Sequence, residues 1–313
     1  MDKKLIVILG PTASGKSELA IKLAKKLAPY RNEVSGAGFN GEIISADSRQ
    51  VYKGMDIGTG KITKKEMKGI PHYLLDIASP KRRFTVVQYR KLALEAINKI
   101  FKKGKIPILC GGTGFYIQAE VDGIVIPEVP PDWKLRKKLE KKSVGDLYQI
   151  LKKLDPKRAK TIERKNPRRL IRAIEIVRKT KKPVPSLKLQ PLPYPILIIG
   201  IKKEKEELKK LIKKRLLKRF KKGMIAEVKK LKESGLSWKR LEEFGLEYRY
   251  IAKYLQGKIN YNEMIENIQK ESEQFAKRQM AWFKRDDRIR WTPPTRHPYR
   301  WAKKLVKEFL EKK

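Results

Sequence analysis

The stretch GPTASGKS at positions 10–17 has the spacing G-x-x-x-x-G-K-[ST]. That spacing suits a loop whose backbone N–H groups curl round a phosphate, with the positive end of a helix behind them. Gly10, Pro11, Thr12, Ala13, Ser14, Gly15, Lys16 and Ser17 are therefore the expected phosphate cradle. Lys16 offers a point charge to the phosphate oxygens, and the Ser17 hydroxyl offers a ligand to Mg²⁺. In EIISADSRQVY, Asp47 follows an apolar run, on the edge where open α/β sheets bind ligands. A carboxylate there can hold Mg²⁺ through water or act as a general base; alternatively Asp47 or Ser48 caps the following turn. CGGTGFY repeats the situation: Gly111 and Gly112 permit close backbone approach, and Thr113 offers a hydroxyl to the same edge. In NPRRLIRAIEIVRK, Asn166 and Pro167 start a helix. Leu170, Ala173, Ile174 and Val177 fall on one face, with Arg168, Arg172 and Lys179 opposite. Such an arginine face suits backbone phosphates, or else is an ordinary solvated surface.

The elements that must position these groups read as an α/β domain. KKLIVIL (3–9), EIISA (42–46), IPILC (106–110) and ILIIG (196–200) have the pattern of buried strands. Helical patterns lie between them in SELAIKLAKKLA, ended by Pro29, and in FTVVQYRKLALEAINKIFKKG; YRNEVSGAGFNG (30–41) reads as a loop. Strands alternating with helices predict a P-loop-type parallel sheet flanked by helices. Between the Pro-rich seams PEVPPD and KKPVPSLKLQPLPYP there are basic helices and little strand signal. The expected organisation is an α/β core over 1–119 and 186–313, interrupted by a helical insertion domain at 120–185. The C-terminal third is helical and is expected to pack back on the sheet.

Composition bounds the function. The chain has 313 residues, 40% of them hydrophobic, enough for a sizeable core. It lacks an apolar run near the ~20 residues of a membrane span, and its N-terminus reads as a strand feeding a loop, not a signal peptide. One cysteine and two histidines exclude a disulfide framework and a structural zinc site, and fit a reducing cytoplasm. The formal net charge of +43 favours a polyanionic partner, although part of it is lysine on solvated helix faces. A strand ending in Asp-Glu, an arginine-rich lid and an adenine-binding signature, which an NTPase would add to such a loop, are missing.

Taken in order, GPTASGKS, ISADSRQVYKGMDIGTGK, PHYLLDI, GGTGFY, NPRRLIRAIEI, RLLKRFKKGMIAEV and AKRQMAWFKR resemble one family, the tRNA dimethylallyltransferases (tRNA isopentenyltransferases), over nearly the whole chain. The resemblance implies transfer of a dimethylallyl group from dimethylallyl diphosphate to the exocyclic amine of the adenine 3′ to the anticodon. It implies that the loop at 10–17 holds the diphosphate, with Mg²⁺ at Ser17. Asp47 would then take a proton from the amine, Thr113 would sit by the reacting centre, and Arg215 would bind diphosphate. Asp47, Ser48, Arg49, Gln50, Thr113, Arg136, Arg168, Arg169, Leu170, Ile171 and Arg172 would touch the tRNA anticodon stem-loop. A cytoplasmic monomer without an obligate protein partner is expected. GLEYRY (245–250) stands where the family often reads GYR, so Arg249 has no assigned role. With one cysteine the chain lacks the zinc finger of eukaryotic members and looks bacterial in type. An adenylate isopentenyltransferase, a small-molecule P-loop kinase and a nucleic-acid-binding protein with a vestigial loop are the rival readings.

Overall fold

The computed structural model describes residues 3–26, 41–125, 127, 129–186, 188–293 and 298–312. Apart from Gly41, the loop expected at 30–41 lies outside them, as does Pro29. Along the first part of the chain, strands and helices alternate: β1 (Leu5–Leu9), α1 (Lys16–Lys26), β2 (Gly41–Ala46), α2 (Lys64–Met67), β3 (His72–Tyr73), α3 (Val86–Lys102), β4 (Ile106–Gly111) and α4 (Gly114–Val121). A second stretch holds β5 (Ile124–Val125), α5 (Trp133–Leu139), α6 (Val144–Leu154), α7 (Pro156–Thr161), α8 (Pro167–Thr180) and β6 (Lys188–Leu189). The remainder is β7 (Ile196–Gly200), α9 (Lys205–Lys221), α10 (Met224–Glu233), α11 (Trp238–Glu243), α12 (Leu246–Leu255), α13 (Tyr261–Phe283), β8 (Arg290–Trp291) and α14 (Pro298–Glu311). The contacts separate two compact units, Met1–Val121 with Leu192–Lys313, and Asp122–Pro191.

In the first unit, a six-stranded sheet has the order β3-β2-β4-β1-β7-β8 and is parallel throughout. Every residue of β1, β2 and β4 is buried, as both-sided coverage of a parallel sheet requires. Alternate side chains serve the two faces. Leu5, Val7 and Leu9 pack with Tyr89, Ala93 and Ile97 of α3 and Ile117 of α4, whereas Ile6 and Ile8 pack with Leu19 and Leu23 of α1 and Val306 of α14. The four strands read from the sequence are all present; β3 and β8, two residues each, are too short to show a period. The C-terminal helices only partly return to the sheet. Phe283 and Val306 reach it, but α9 to α13 also build a separate core around Val51, Tyr52 and Met55.

Register determines what the sheet can present. Leu9 pairs with Gly111, and Gly111 with Ala46, so β1, β4 and β2 end level. The loops that follow them, carrying Gly10, Thr113 and Asp47, thus share the C-terminal edge. Close pairing explains one glycine: a Cβ at Gly111 would lie 2.1 Å from the Ala46 carbonyl oxygen. Gly111→Ala is expected to lower stability by about 1–3 kcal/mol through overpacking. The check is a fall in the denaturant midpoint at unchanged slope.

The second unit is a small helical body with an antiparallel β5–β6 pair. It ends at Pro191 because the second Pro-rich seam contributes β6, whereas the seams alone suggest 120–185; residues 120 and 121 belong to α4. Leu139, Leu147, Leu151, Ala159, Leu170 and Ile174 form its core. The helix starts follow local chemistry: Asp132, Ser143, Asp155 and Asn166 each accept a backbone N–H three residues on. The helical wheel of α8 needs correction. Arg172 is not on a freely solvated face, since it pairs with Glu175, which is 1% exposed, and donates to the Val129 carbonyl at 2.9 Å. The same carboxylate accepts from Arg136 Nε at 2.7 Å and Nη2 at 2.6 Å, and from the Asp132 N–H at 2.7 Å. Segment 129–136 crosses the polar side of α8, which periodicity within α8 does not reveal. Leu170 and Ile171 are buried side chains of this core, while Arg168 and Arg169 are exposed.

Candidate active site

The cradle follows β1 directly. Ala13 (φ 64°) and Gly15 (φ 90°) take left-handed backbone, and α1 begins at Lys16 with the Leu19 N–H donating to the Gly15 carbonyl at 3.1 Å. The loop is cross-braced by Ser14 N–H and Lys16 Nζ, each 3.3 Å from the Pro11 carbonyl oxygen. Burial lowers the Lys16 pKa; Arg215 and Arg219 lower it further, against opposing pulls from Cys110 and Asp47. Burial likewise pushes the Cys110 thiol up to about 11, although Lys16 and a hydrogen bond with Ser17 oppose it. Cys110 therefore stays a thiol and is no nucleophile.

Arg215 projects from α9 and donates to the Thr12 hydroxyl. Its guanidinium is held well below its ordinary pKa, first by burial and then by Arg219. One turn further on, Arg219 is 8% exposed, pairs with Glu247 at 2.7 Å and donates to the Gly58 carbonyl at 3.1 Å. Lys16, Arg215 and Arg219 thus crowd their charges together in a poorly solvated place, an arrangement that an incoming polyanion relieves.

The motif DIGTGK gains a physical reason here. Glu227 accepts the N–H groups of Asp56, Ile57 and Gly58 at 2.9, 2.6 and 3.0 Å, and the Tyr248 hydroxyl at 2.7 Å. A Cβ at Gly60, which has φ 61°, would lie 1.8 Å from Arg219 Nη2. Only glycine leaves room for that buried guanidinium.

Beside the cradle, the Thr113 N–H donates to the Ala46 carbonyl at 3.1 Å, and Thr113 Oγ1 accepts the Ser48 N–H at 3.0 Å. Asp47 Oδ1 accepts the N–H groups of Arg49 at 2.8 Å and Gln50 at 3.3 Å. One carboxylate oxygen is therefore a turn cap, which keeps the side chain oriented at the strand end. Arg49 lies over the Phe244 ring at 5.8 Å, and Gln50 donates to the Gly60 carbonyl at 3.3 Å. The structure brings together the cradle, Asp47, Ser48, Thr113 and Arg215. Arg136, Arg168, Arg169, Leu170, Ile171 and Arg172 belong to the other compact unit.

Two residues without a role in the sequence reading belong to this edge. Arg219 is one. The other is Gln279, 6% exposed, which accepts the Thr12 N–H at 2.8 Å and donates to the Gly112 carbonyl at 2.7 Å. The signal for Gln279 was available: Ile268, Ser272, Ala276, Gln279 and Phe283 form the buried stripe of α13, and a glutamine inside such a stripe must find partners. Gly112, like Gly111, makes room for the protein itself, since a Cβ there would lie 2.4 Å from Gln279 Nε2.

Fold and site together define an α/β protein of the P-loop type with buried cationic side chains gathered at the C-terminal edge of its sheet. The model of the IPP transferase family matches residues 50–286. The chain is 41% identical over 295 residues to the tRNA dimethylallyltransferase of Acetivibrio thermocellus, covering 92% of this chain and 90% of that one. It is 39% identical over 313 residues to tRNA dimethylallyltransferase 1 of Geotalea uraniireducens, with 98% of each covered. Among solved structures, the tRNA isopentenylpyrophosphate transferase of Bacillus halodurans superposes with a TM-score of 0.70 at 35% identity, over 99% and 96% of the two chains. A eukaryotic dimethylallyltransferase caught acting on tRNA gives 0.82 at 27% identity, over 99% and 80%. This chain belongs to the IPP transferase family.

Proposed function

We propose that this enzyme transfers a dimethylallyl group from dimethylallyl diphosphate to the exocyclic amine of the adenine 3′ to the anticodon of tRNA. The observation that carries the reading is the single edge on which Lys16, Arg215 and Arg219 gather positive charge beside Asp47 and Thr113. An adenine amine is a weak nucleophile because its lone pair is delocalised into the ring. As it attacks the allylic carbon, the carbon–oxygen bond breaks, and negative charge builds on the departing diphosphate, where Lys16 and Arg215 stabilise it. Asp47 takes the amine proton, oriented by its turn bonds through Oδ1. Arg215, which donates to Thr12, ties the diphosphate loop to α9.

The fit to Mg²⁺ is of the usual phosphate-site kind. Ser17 lies exposed at the first turn of α1, and the described residues hold no cluster of three or more His, Cys, Asp or Glu. One hydroxyl with substrate oxygens and water suits this hard cation. Bound there, Mg²⁺ would neutralise charge on the leaving diphosphate.

For the tRNA grip, the exposed Arg168 and Arg169 are the phosphate contacts of α8, while Glu175 braces Arg136 and Arg172 as a fixed, net-positive triad. Neutralising Arg168 and Arg169 together is expected to weaken tRNA binding and reduce its salt slope by about one per lost phosphate contact. Binding measured across a salt series decides; an unchanged slope makes this an ordinary solvated surface.

The function itself is tested by incubating the protein with unmodified tRNA, dimethylallyl diphosphate and Mg²⁺ and assaying for isopentenyl-adenosine. AMP in place of tRNA tests the free-nucleotide rival. Stoichiometric consumption of ATP during prenylation would contradict the assignment of the loop to the isoprenoid diphosphate.

A further inference from the structure

We propose that Gln279 is a positioning residue that registers the diphosphate loop against the Thr113 turn, so that donor and acceptor are aligned for transfer. The proposal rests on the prenyl-transfer reading and names a residue that the reading does not use. Gln279 bonds to two backbone groups that lie 267 and 167 residues away in the chain. One is the N–H of Thr12, inside the phosphate cradle; the other is the carbonyl of Gly112, the residue before Thr113. A donor faces one end of the amide and an acceptor the other, so only one orientation satisfies both, with Oε1 toward Thr12 and Nε2 toward Gly112.

The two ends of this bridge are anchored further. Thr12 also receives a hydrogen bond from Arg215 through its hydroxyl, so it is held from α9 and from α13. Thr113 is tied in turn to the Ala46 carbonyl and the Ser48 N–H, next to Asp47. Gln279 is thus the side chain that spans from the anion loop to the turn carrying the Thr113 hydroxyl. Gly112 must be glycine for the amide to reach, since a Cβ there would meet Nε2 at 2.4 Å. Transfer between two separately bound substrates is sensitive to alignment, and a displacement of about 1 Å can cost ~10²-fold in rate. The registration should therefore show in kcat more than in the binding of either substrate.

Gln279→Glu and Gln279→Leu test this together. Glutamate matches the size of the amide, but its carboxylate form offers the Gly112 carbonyl no donor. Its protonated form donates to Gly112 and accepts from Thr12, restoring both bonds. In so buried a place the introduced carboxyl should titrate above the ordinary glutamate range. Rates are normalised to wild type at each pH, which cancels the pH dependence common to both proteins, including that of Lys16, Arg215 and Cys110. The expected result is a ~10²-fold lower kcat for Gln279→Glu at pH 8, recovering by about ten-fold or more toward pH 6. Gln279→Leu keeps the apolar stripe filled and should show a pH-independent loss of kcat. Its tRNA affinity should stay close to wild type, while the unpaired Thr12 N–H and Gly112 carbonyl should lower its melting temperature without unfolding it. Pyrophosphate affinity of Gln279→Glu relative to wild type, measured by calorimetry, should recover in the same direction with pH but by less than kcat, because Thr12 belongs to the cradle. That readout needs no prenyl transfer, so a wild type that forms no isopentenyl-adenosine sinks the functional reading and leaves this one still open to judgement. Wild-type kcat in Gln279→Leu, or a Gln279→Glu defect that ignores pH, overturns the proposal. Should Gln279→Glu fail to fold, the kcat of Gln279→Leu decides alone.

Discussion

Asp47→Asn is expected to slow prenyl transfer by about two to four orders of magnitude, the usual contribution of a positioned general base. The substitution is unusually clean at this position. Asp47 Oδ1 receives the N–H groups of Arg49 and Gln50, and an asparagine carbonyl oxygen can accept the same two bonds. The turn that carries Ser48, Arg49 and Gln50 should therefore survive, and tRNA affinity should change far less than the rate. What is lost is the negative charge and the second carboxylate oxygen, which an amide NH2 replaces. Single-turnover rates with saturating tRNA separate the two effects. A variant within a few-fold of wild type would reduce Asp47 to the turn cap that its Oδ1 bonds already describe.

Lys16→Ala should cost a comparable amount, about 10²–10³-fold, since on the proposed reading it removes a charge that stabilises the departing diphosphate. Here the structure adds a consequence for stability. Burial lowers the Lys16 pKa in the folded chain, with Arg215 and Arg219 adding to the effect. A base whose pKa falls on folding binds fewer protons in the native state, so stability rises with pH between the folded and unfolded values. Below that window the charged lysine costs the free protein stability, which an anion in the cradle offsets. Lys16→Ala should thus melt no lower than wild type at neutral pH without ligand. Pyrophosphate should raise the melting temperature of the wild type and barely move that of the variant. Activity within ten-fold of wild type, or an equal thermal shift in both proteins, would remove Lys16 from the diphosphate site.

The sequence alone determined the parts whose signals are local. LIVIL, EIISA, IPILC and ILIIG are apolar runs bounded by glycine or proline, and each became a strand of the main sheet. GPTASGKS showed its cradle because the glycines and the helix start lie within eight positions. Asn166 and Pro167 marked the start of α8 for the same reason. The tertiary structure alone decided what depends on residues far apart in the chain. It put β4 between β1 and β2, and its register levelled the ends that carry Gly10, Thr113 and Asp47. It set Arg219 against Gly60 and Gln279 between Thr12 and Gly112. It also turned Arg172 from a surface charge into a partner of Glu175, because segment 129–136 covers that side of its helix. Periodicity reports that a face is buried or polar; what lies against that face is chosen by the packing of distant segments, which leaves no mark in the spacing of its own residues.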